Sequence, residues 1–235
     1  MPSLFPESID VPLFPLPGVV LFPGSVLPLR VFEPRYRKLL EDVLPSHRFI
    51  AMAHLKDPSE TADIVPGSAP PAVHAILGVG KIVAHEPQPD GTSNIALLGQ
   101  ARCRIEREIP HQPYRIAALT TLHDQAGKSP AEQQMVVLAR SEMMKVANGL
   151  IARTLDEGAG KKLQAALKER EDAGAVVDLL ASMYVHPPGL RQALLESLDI
   201  LERIRLLHAV MEKLAGQLDP KPPPLRYNHD DYSMN

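Results

Sequence analysis

The sequence predicts an α+β protein: a curved antiparallel sheet or small β-barrel with one helix over residues 1–122, then a helical bundle over 130–218. Three observations carry this. Residues 10–122 break into roughly six or seven strand-like runs separated by Pro, Gly and Asp turn signals. Beyond Ser129 the apolar residues recur at helical spacing. The change falls at 123–129, where a short polar stretch leads into a helix cap. A chain of 235 residues has room for a sizeable core, as one large domain or two small ones.

Residues 1–10 read as a loose lead-in, and 11–16 and 19–22 as short strands. Pro17-Gly18 and Pro23-Gly24 suit type II turns, where Pro fixes φ at the second position and Gly accepts a positive φ at the third. Between Gly24 and Glu33 the side chains alternate. Leu27, Leu29 and Val31 share one face; Val26, Pro28, Arg30 and Phe32 share the other. Pro28 cannot donate to a ladder, so this strand lies at an edge or turns that position away from any partner. From Pro34 the period changes, and Tyr36, Leu39, Leu40, Val43 and Leu44 make one helical face that Pro45 ends.

A buried strand is expected over 48–55. Lys56 to Ala72, rich in Pro, Ser, Asp and Gly, reads as a long surface loop and a candidate contact region. Residues 74–86 form the next strand, with Gly78 and Gly80 marking a bulge or a close backbone approach. Asp90-Gly91 turns a hairpin at 87–91. Ser93 to Ile109 returns as a long strand bent at Gly99, with Arg102, Arg104, Glu106 and Glu108 on a wet face and Cys103, Ile105 and Ile109 opposite. Tyr114 to Leu122 is the last strand.

Ser129-Pro130-Ala131-Glu132 is a capping box with Pro at the first helical position. It opens a helix to about Arg153 carrying Met135, Leu138, Met143, Val146, Leu150 and Ile151. Shorter helices are expected at 161–171, after the Gly-rich break at 158–160, around 176–184, and at 190–198. Asp199 and Glu202 cap a last helix to about Leu218, with Leu201, Ile204, His208, Met211 and Leu214 facing in. The tail, 219–235, has too little apolar surface to pack and reads as Pro-rich and disordered.

Composition narrows the function. Net charge is −3 and aromatics are only 4% with no Trp, so neither a global basic field nor an aromatic platform favours nucleic acid. One cysteine, Cys103, excludes an internal disulfide and a multi-cysteine zinc site, and fits a cytoplasmic protein. No signal peptide is visible, and no run approaches the ~20 apolar residues of a membrane helix. Gly160-Lys161-Lys162 lacks the earlier Gly and the Ser or Thr of a phosphate loop. There is no G-x-S-x-G elbow. Nine histidines invite a metal reading. None has zinc-protease spacing, His208 reads as a packing residue, and His229 lies in the tail. No catalytic residue, cofactor or metal is expected, so the chain is read as not an enzyme.

"PLFPLPGVVLFPGSVLPLRVFEPRYRKLLEDVL", at 12–44, closely resembles the opening of the Lon protease N-terminal domain, also called the LON substrate-binding domain. "GVGKIV" at 78–83, "LLGQARCRI" at 97–105 and "RQALLESLDILERIRLL" at 191–207 extend the resemblance over most of 10–218. It implies a barrel-like domain related to the PUA fold followed by a helical bundle. It also implies a non-catalytic module that recognises unfolded or extended polypeptide, or serves a protease or chaperone partner as an adaptor. Full Lon proteases continue into an ATPase module and a Ser-Lys protease domain, and this chain is expected to lack both. The densest signal is 33–37. Arg30, Glu33, Arg35 and Tyr36 are therefore the candidate peptide-binding or corner-forming residues. In the corner reading Glu33 and Arg35 pair and help cap the helix while Tyr36 packs below. RNA binding, which PUA-like barrels often perform, is the alternative. The partner, the binding face and the oligomeric state stay open.

Overall fold

The computed structural model of the protein describes residues 5–56 and 70–218. Most of the loop expected at 56–72 and the tail at 219–235 lie outside those residues. Six strands make one sheet: β1 (Ser8–Leu16), β2 (Val26–Val31), β3 (Phe49–His54), β4 (Ile76–Pro87), β5 (Ser93–Ile109) and β6 (Arg115–Leu122). Their order is β2-β5-β4-β3-β1-β6, and β6 also pairs with β5, so five strands close on themselves. β5 serves two neighbours in turn: residues 93–98 pair with β2, and residues 102–109 with β6. The closed sheet is antiparallel except between β1 and β3, which run parallel. Helix α1 (Pro34–Val43) lies between them in sequence and carries the chain back to the same end.

The segment expected as a strand at 19–22 joins no ladder. It crosses over β4 and β5 instead. An added Cβ on Gly78 would fall well inside 3.0 Å of the Leu21 carbonyl oxygen, and one on Gly99 equally close to that of Phe22. One on Gly80 would meet Leu21 Cδ2 at 2.7 Å. These glycines form a bed that receives backbone, which is the close approach the sequence allowed for. Gly99 then bonds both neighbours of the turn: Gly24 N–H donates to its carbonyl at 2.9 Å, and its N–H donates to Ser25 O at 2.8 Å. Register shifts at Val79/Gly80 and Ile82/Ala84 accommodate the crossing.

Side chains of this segment split between cores. Leu21 joins Phe14, Tyr36, Leu39, Leu40, Ile50 and Leu97 around α1. Val20 and Phe22 join the helices. A third cluster, with Val11, Leu13, Ala51, Val79, Cys103 and Leu119, draws on all five closed strands. Cys103 is buried there, and burial pushes its thiol up to about 11.

Five helices follow: α2 (Pro130–Thr154), α3 (Glu157–Glu169), α4 (Ala173–Tyr184), α5 (Pro188–Glu196) and α6 (Ile200–Gln217). The Ser129–Glu132 capping box forms, and Asp199 accepts from the N–H groups of Leu201 and Glu202. Three expectations change. Helix α3 starts before the Gly-rich run, because Asp156 caps it. On α2 the buried stripe is Val136, Met143, Ala147, Leu150 and Ile151, while Met135 and Leu138 face outward. The run Met135-Val136-Val137-Leu138 is apolar all round, so its inner face is set by the partner rather than by pattern. On α6 Leu207 takes the inward place and His208 sits partly exposed beside Glu212.

Candidate functional site

Strand β2 ends the sheet. Among the described residues it has a strand neighbour on one side only, namely β5. This edge placement explains how Pro28 is tolerated within it. Its outer face carries Val26, Pro28 and Arg30, continued by Phe32. Val26 is 61% exposed and Phe32 59%. Leu27 and Leu29 turn the other way and pack partly against the core around α1.

At the corner from β2 into α1 the structure brings Glu33, Arg35 and Tyr36 together. Arg35 Nη2 lies 2.6 Å from Glu33 Oε2, and Nε donates to the same oxygen at 2.9 Å. Glu33 is the N-cap residue with extended backbone, yet its side chain makes no capping bond; Arg35 holds it instead. The Arg35 guanidinium stands 4.6 Å over the Tyr36 ring, and that ring stacks on Phe14 at 3.9 Å. Tyr36 is buried, and its hydroxyl reaches Pro15 O at 3.5 Å. Arg30 is placed apart, on the exposed face, with Nη2 3.3 Å from Asp90 Oδ2 in the β4–β5 hairpin. Hydrogen bonds from the Thr92 hydroxyl and N–H hold the Asp90 carboxyl below its ordinary range.

Sequence reasoning missed the seam between the sheet and the helices. Arg102, expected on a wet face, is only 2% exposed. It donates to both oxygens of Asp178 on α4 at 2.7 Å and to Asp124 Oδ1, just past β6, at 2.8 Å. Arg203 of α6, wholly buried, reaches the same two carboxylates. Burial pushes the Asp178 carboxyl up to about 7, against the pull of Arg102. An added Cβ on Gly174 would strike Asp124 and Arg203, so this glycine makes room for the network. The cleft beside it, about 200 Å³, is lined by charged groups such as Arg102 and Asp172 together with apolar ones such as Pro23 and Leu122. Arg191 and Gln192 of α5 add bonds to Val20 O and Ile76 O.

His54, at the end of β3, is 5% exposed, and neither ring nitrogen has a hydrogen-bond partner among the described residues. It stacks on His74 at 5.1 Å, and His74 Nδ1 lies 2.9 Å from Glu196 Oε1. Burial lowers the His54 pKa below its ordinary 6.5, with His74 adding to the effect and Glu196 opposing it. The unfolded chain therefore takes up this proton more readily than the folded one, so stability present above pH ~6.5 is lost as pH falls through it. We expect thermal melts between pH 8 and pH 5 to drop less steeply in His54→Leu than in the wild type. Parallel curves would show that His54 does not couple to folding. His47, also lowered by burial, contributes with the same sign in both proteins.

A further cleft of about 670 Å³ lies between α2 and α3, lined in part by Val137, Arg140, Met144, Leu167 and Lys168. Arg140 is already engaged there, on the carbonyls of Leu167, Arg170 and Glu171. Among the described residues no group of three or more His, Cys, Asp or Glu is placed to hold a metal ion. No described helix is long and apolar enough to cross a membrane.

The family model for the ATP-dependent protease La (LON) substrate-binding domain matches residues 10–213. Among curated proteins, the chain is 27% identical over 215 residues to a Lon protease of Roseiflexus castenholzii, covering 91% of this chain and 25% of that protein. It is 28% identical over 211 residues to a Lon protease 2 of Herpetosiphon aurantiacus, covering 88% and 24%. The chain thus spans about a quarter of the length of the relatives it matches. Among solved structures, the N-terminal domain of Mycobacterium avium complex Lon protease superposes with a TM-score of 0.65 at 16% identity, covering 87% of this chain and 98% of that one. A Lon N-terminal domain protein from Xanthomonas campestris gives 0.55 at 21% identity, with 86% and 98% covered. At these identities the two structures support the fold.

Proposed function

Since the chain belongs to the LON substrate-binding domain family, we propose that it is a non-catalytic polypeptide-binding module that takes up extended chain along the free edge of β2. The observation that carries this reading is the edge itself. A strand with one neighbour presents unpaired N–H and C=O groups, and an extended peptide satisfies them by adding as a further strand. Exposed Val26 and Phe32 flank that edge with apolar surface, which unfolded chains offer and folded ones mostly hide. In this role the module acts as an adaptor, passing polypeptide to a protease or chaperone partner. The RNA alternative is disfavoured because Arg102 is consumed in the seam and Arg115 pairs with Glu108.

The test is fluorescence anisotropy with labelled ten-residue peptides tiled from a carboxymethylated, unfolded protein. Micromolar binding is expected for the apolar, extended members of the set. The double variant Val26→Asp/Phe32→Asp should weaken it about tenfold or more, equivalent to about 1.4 kcal/mol. Its melting temperature should stay near that of the wild type, because both side chains are already in water. Equal binding by the variant would place the site elsewhere. Absence of binding to every peptide would remove the function.

A further inference from the structure

A chain added beside β2 would alternate its side chains between two surfaces. One surface continues Leu27, Leu29 and Val31 and is apolar. The other continues Val26, Pro28, Arg30 and Phe32, and Arg30 is its only charge. Residues opposite each other across a strand pair stand about 5 Å apart at Cβ, so one residue of the incoming chain must face Arg30. The Arg30 side chain is 64% exposed, and among the described residues it makes one bond, the 3.3 Å contact to Asp90. A pair exposed on both sides holds weakly. Asp90 is also engaged by Thr92, and a second guanidinium, Arg37, adds its charge nearby. On the β5 side Arg30 faces uncharged Asn94, and Glu86 lies one strand further, away from the free edge. A groove of about 360 Å³, lined by Arg30, Gln88, Pro89, Asp90 and Asn94, opens at this end of the strand.

We infer that Arg30 reads a carboxylate: the chains bound best carry an acidic group facing it, with apolar residues on either side. This rests on the strand-addition reading and narrows its substrate class. A guanidinium with open donors favours a carboxylate over an amide and rejects an ammonium. The carboxylate is that of an Asp or Glu side chain in the added strand.

The probes are blocked eight-residue peptides alternating Leu with Thr, with Asp, Asn or Lys at one central outward position. A fourth peptide ends with a free carboxylate at that position. Wild-type protein is expected to bind the Asp peptide about tenfold more tightly than the Lys peptide, with Asn between. Arg30→Glu should invert the order, and Arg30→Gln should level it. Raising the salt concentration should shrink the wild-type preference. Equal affinity for Asp and Lys peptides, or an order unchanged in Arg30→Glu, would overturn the inference while leaving strand addition in place. If the free-carboxylate peptide alone is preferred, Arg30 reads chain ends rather than side chains, which also overturns the inference. If none of the four binds, strand addition falls and the inference with it.

Discussion

Gly78→Ala and Gly99→Ala are each expected to cost about 3 kcal/mol of stability, at the upper end of what overpacking a core does. The side chain added is a single methyl, but what it meets is backbone. At Gly78 it would drive into the carbonyl of Leu21, and at Gly99 into that of Phe22 and the Pro23 Cα. A flexible side-chain tip could swing away, whereas this segment is pinned by Ser25 Oγ to Phe22 O at 2.7 Å and by the Gly24 and Gly99 bonds. Moving it would also lift Leu21 from one core and Phe22 from another. Gly149→Ala is the control. Nothing lies within 4 Å of its added Cβ, and it sits inside α2, so the change should stabilise by up to about 1 kcal/mol. Urea unfolding of the three variants decides the matter; a Gly78→Ala protein as stable as wild type would mean the crossing segment does not sit on that bed.

Arg102→Met is the second large effect, expected at about 3–5 kcal/mol, because removing one partner of a buried pair leaves charge behind. Asp178 and Asp124 would then share Arg203 alone. The sign with pH follows from the direction of the Asp178 shift. Its folded-state pKa already lies above the unfolded 3.8, so the folded state binds this proton more tightly, and stability through this group falls as pH rises. Losing Arg102 raises that pKa further, so the variant should be less unstable at pH 5 than at pH 8. Adding Asp178→Leu should recover most of the loss, since an apolar substitute for a buried pair is often nearly neutral. A double variant no better than Arg102→Met would show that the ion pair is not the source of the defect.

What the sequence made legible was local. The Asp90-Gly91 turn, the Ser129 and Asp199 caps and the Glu33–Arg35 contact all involve residues within three positions of each other, so their chemistry is written in the spacing. The edge position of β2 was one of the two readings that the missing N–H of Pro28 allowed. Partners distant in sequence were not legible. Gly78 could be marked as a close approach, but not as the bed for Leu21. Arg102 looked solvated because its neighbours along the strand are charged, and only the fold delivers Asp178 and Arg203 to cover it. His54 lay in an apolar strand with nothing to announce the imidazole stacked on it. The exposure of Phe32, on which the proposed binding draws, depends on where the chain turns into α1.

The last strand to be synthesised in the sheet is the one that closes it. β6 pairs with β1 through residues 115–120 and with β5 through 116–122, so until it leaves the ribosome both partners carry bare ladders. Contacts of such sequence separation form slowly, and open strands at that stage invite intermolecular pairing. A nascent chain of this protein is thus, for a time, the kind of unfolded polypeptide that we propose the finished protein holds.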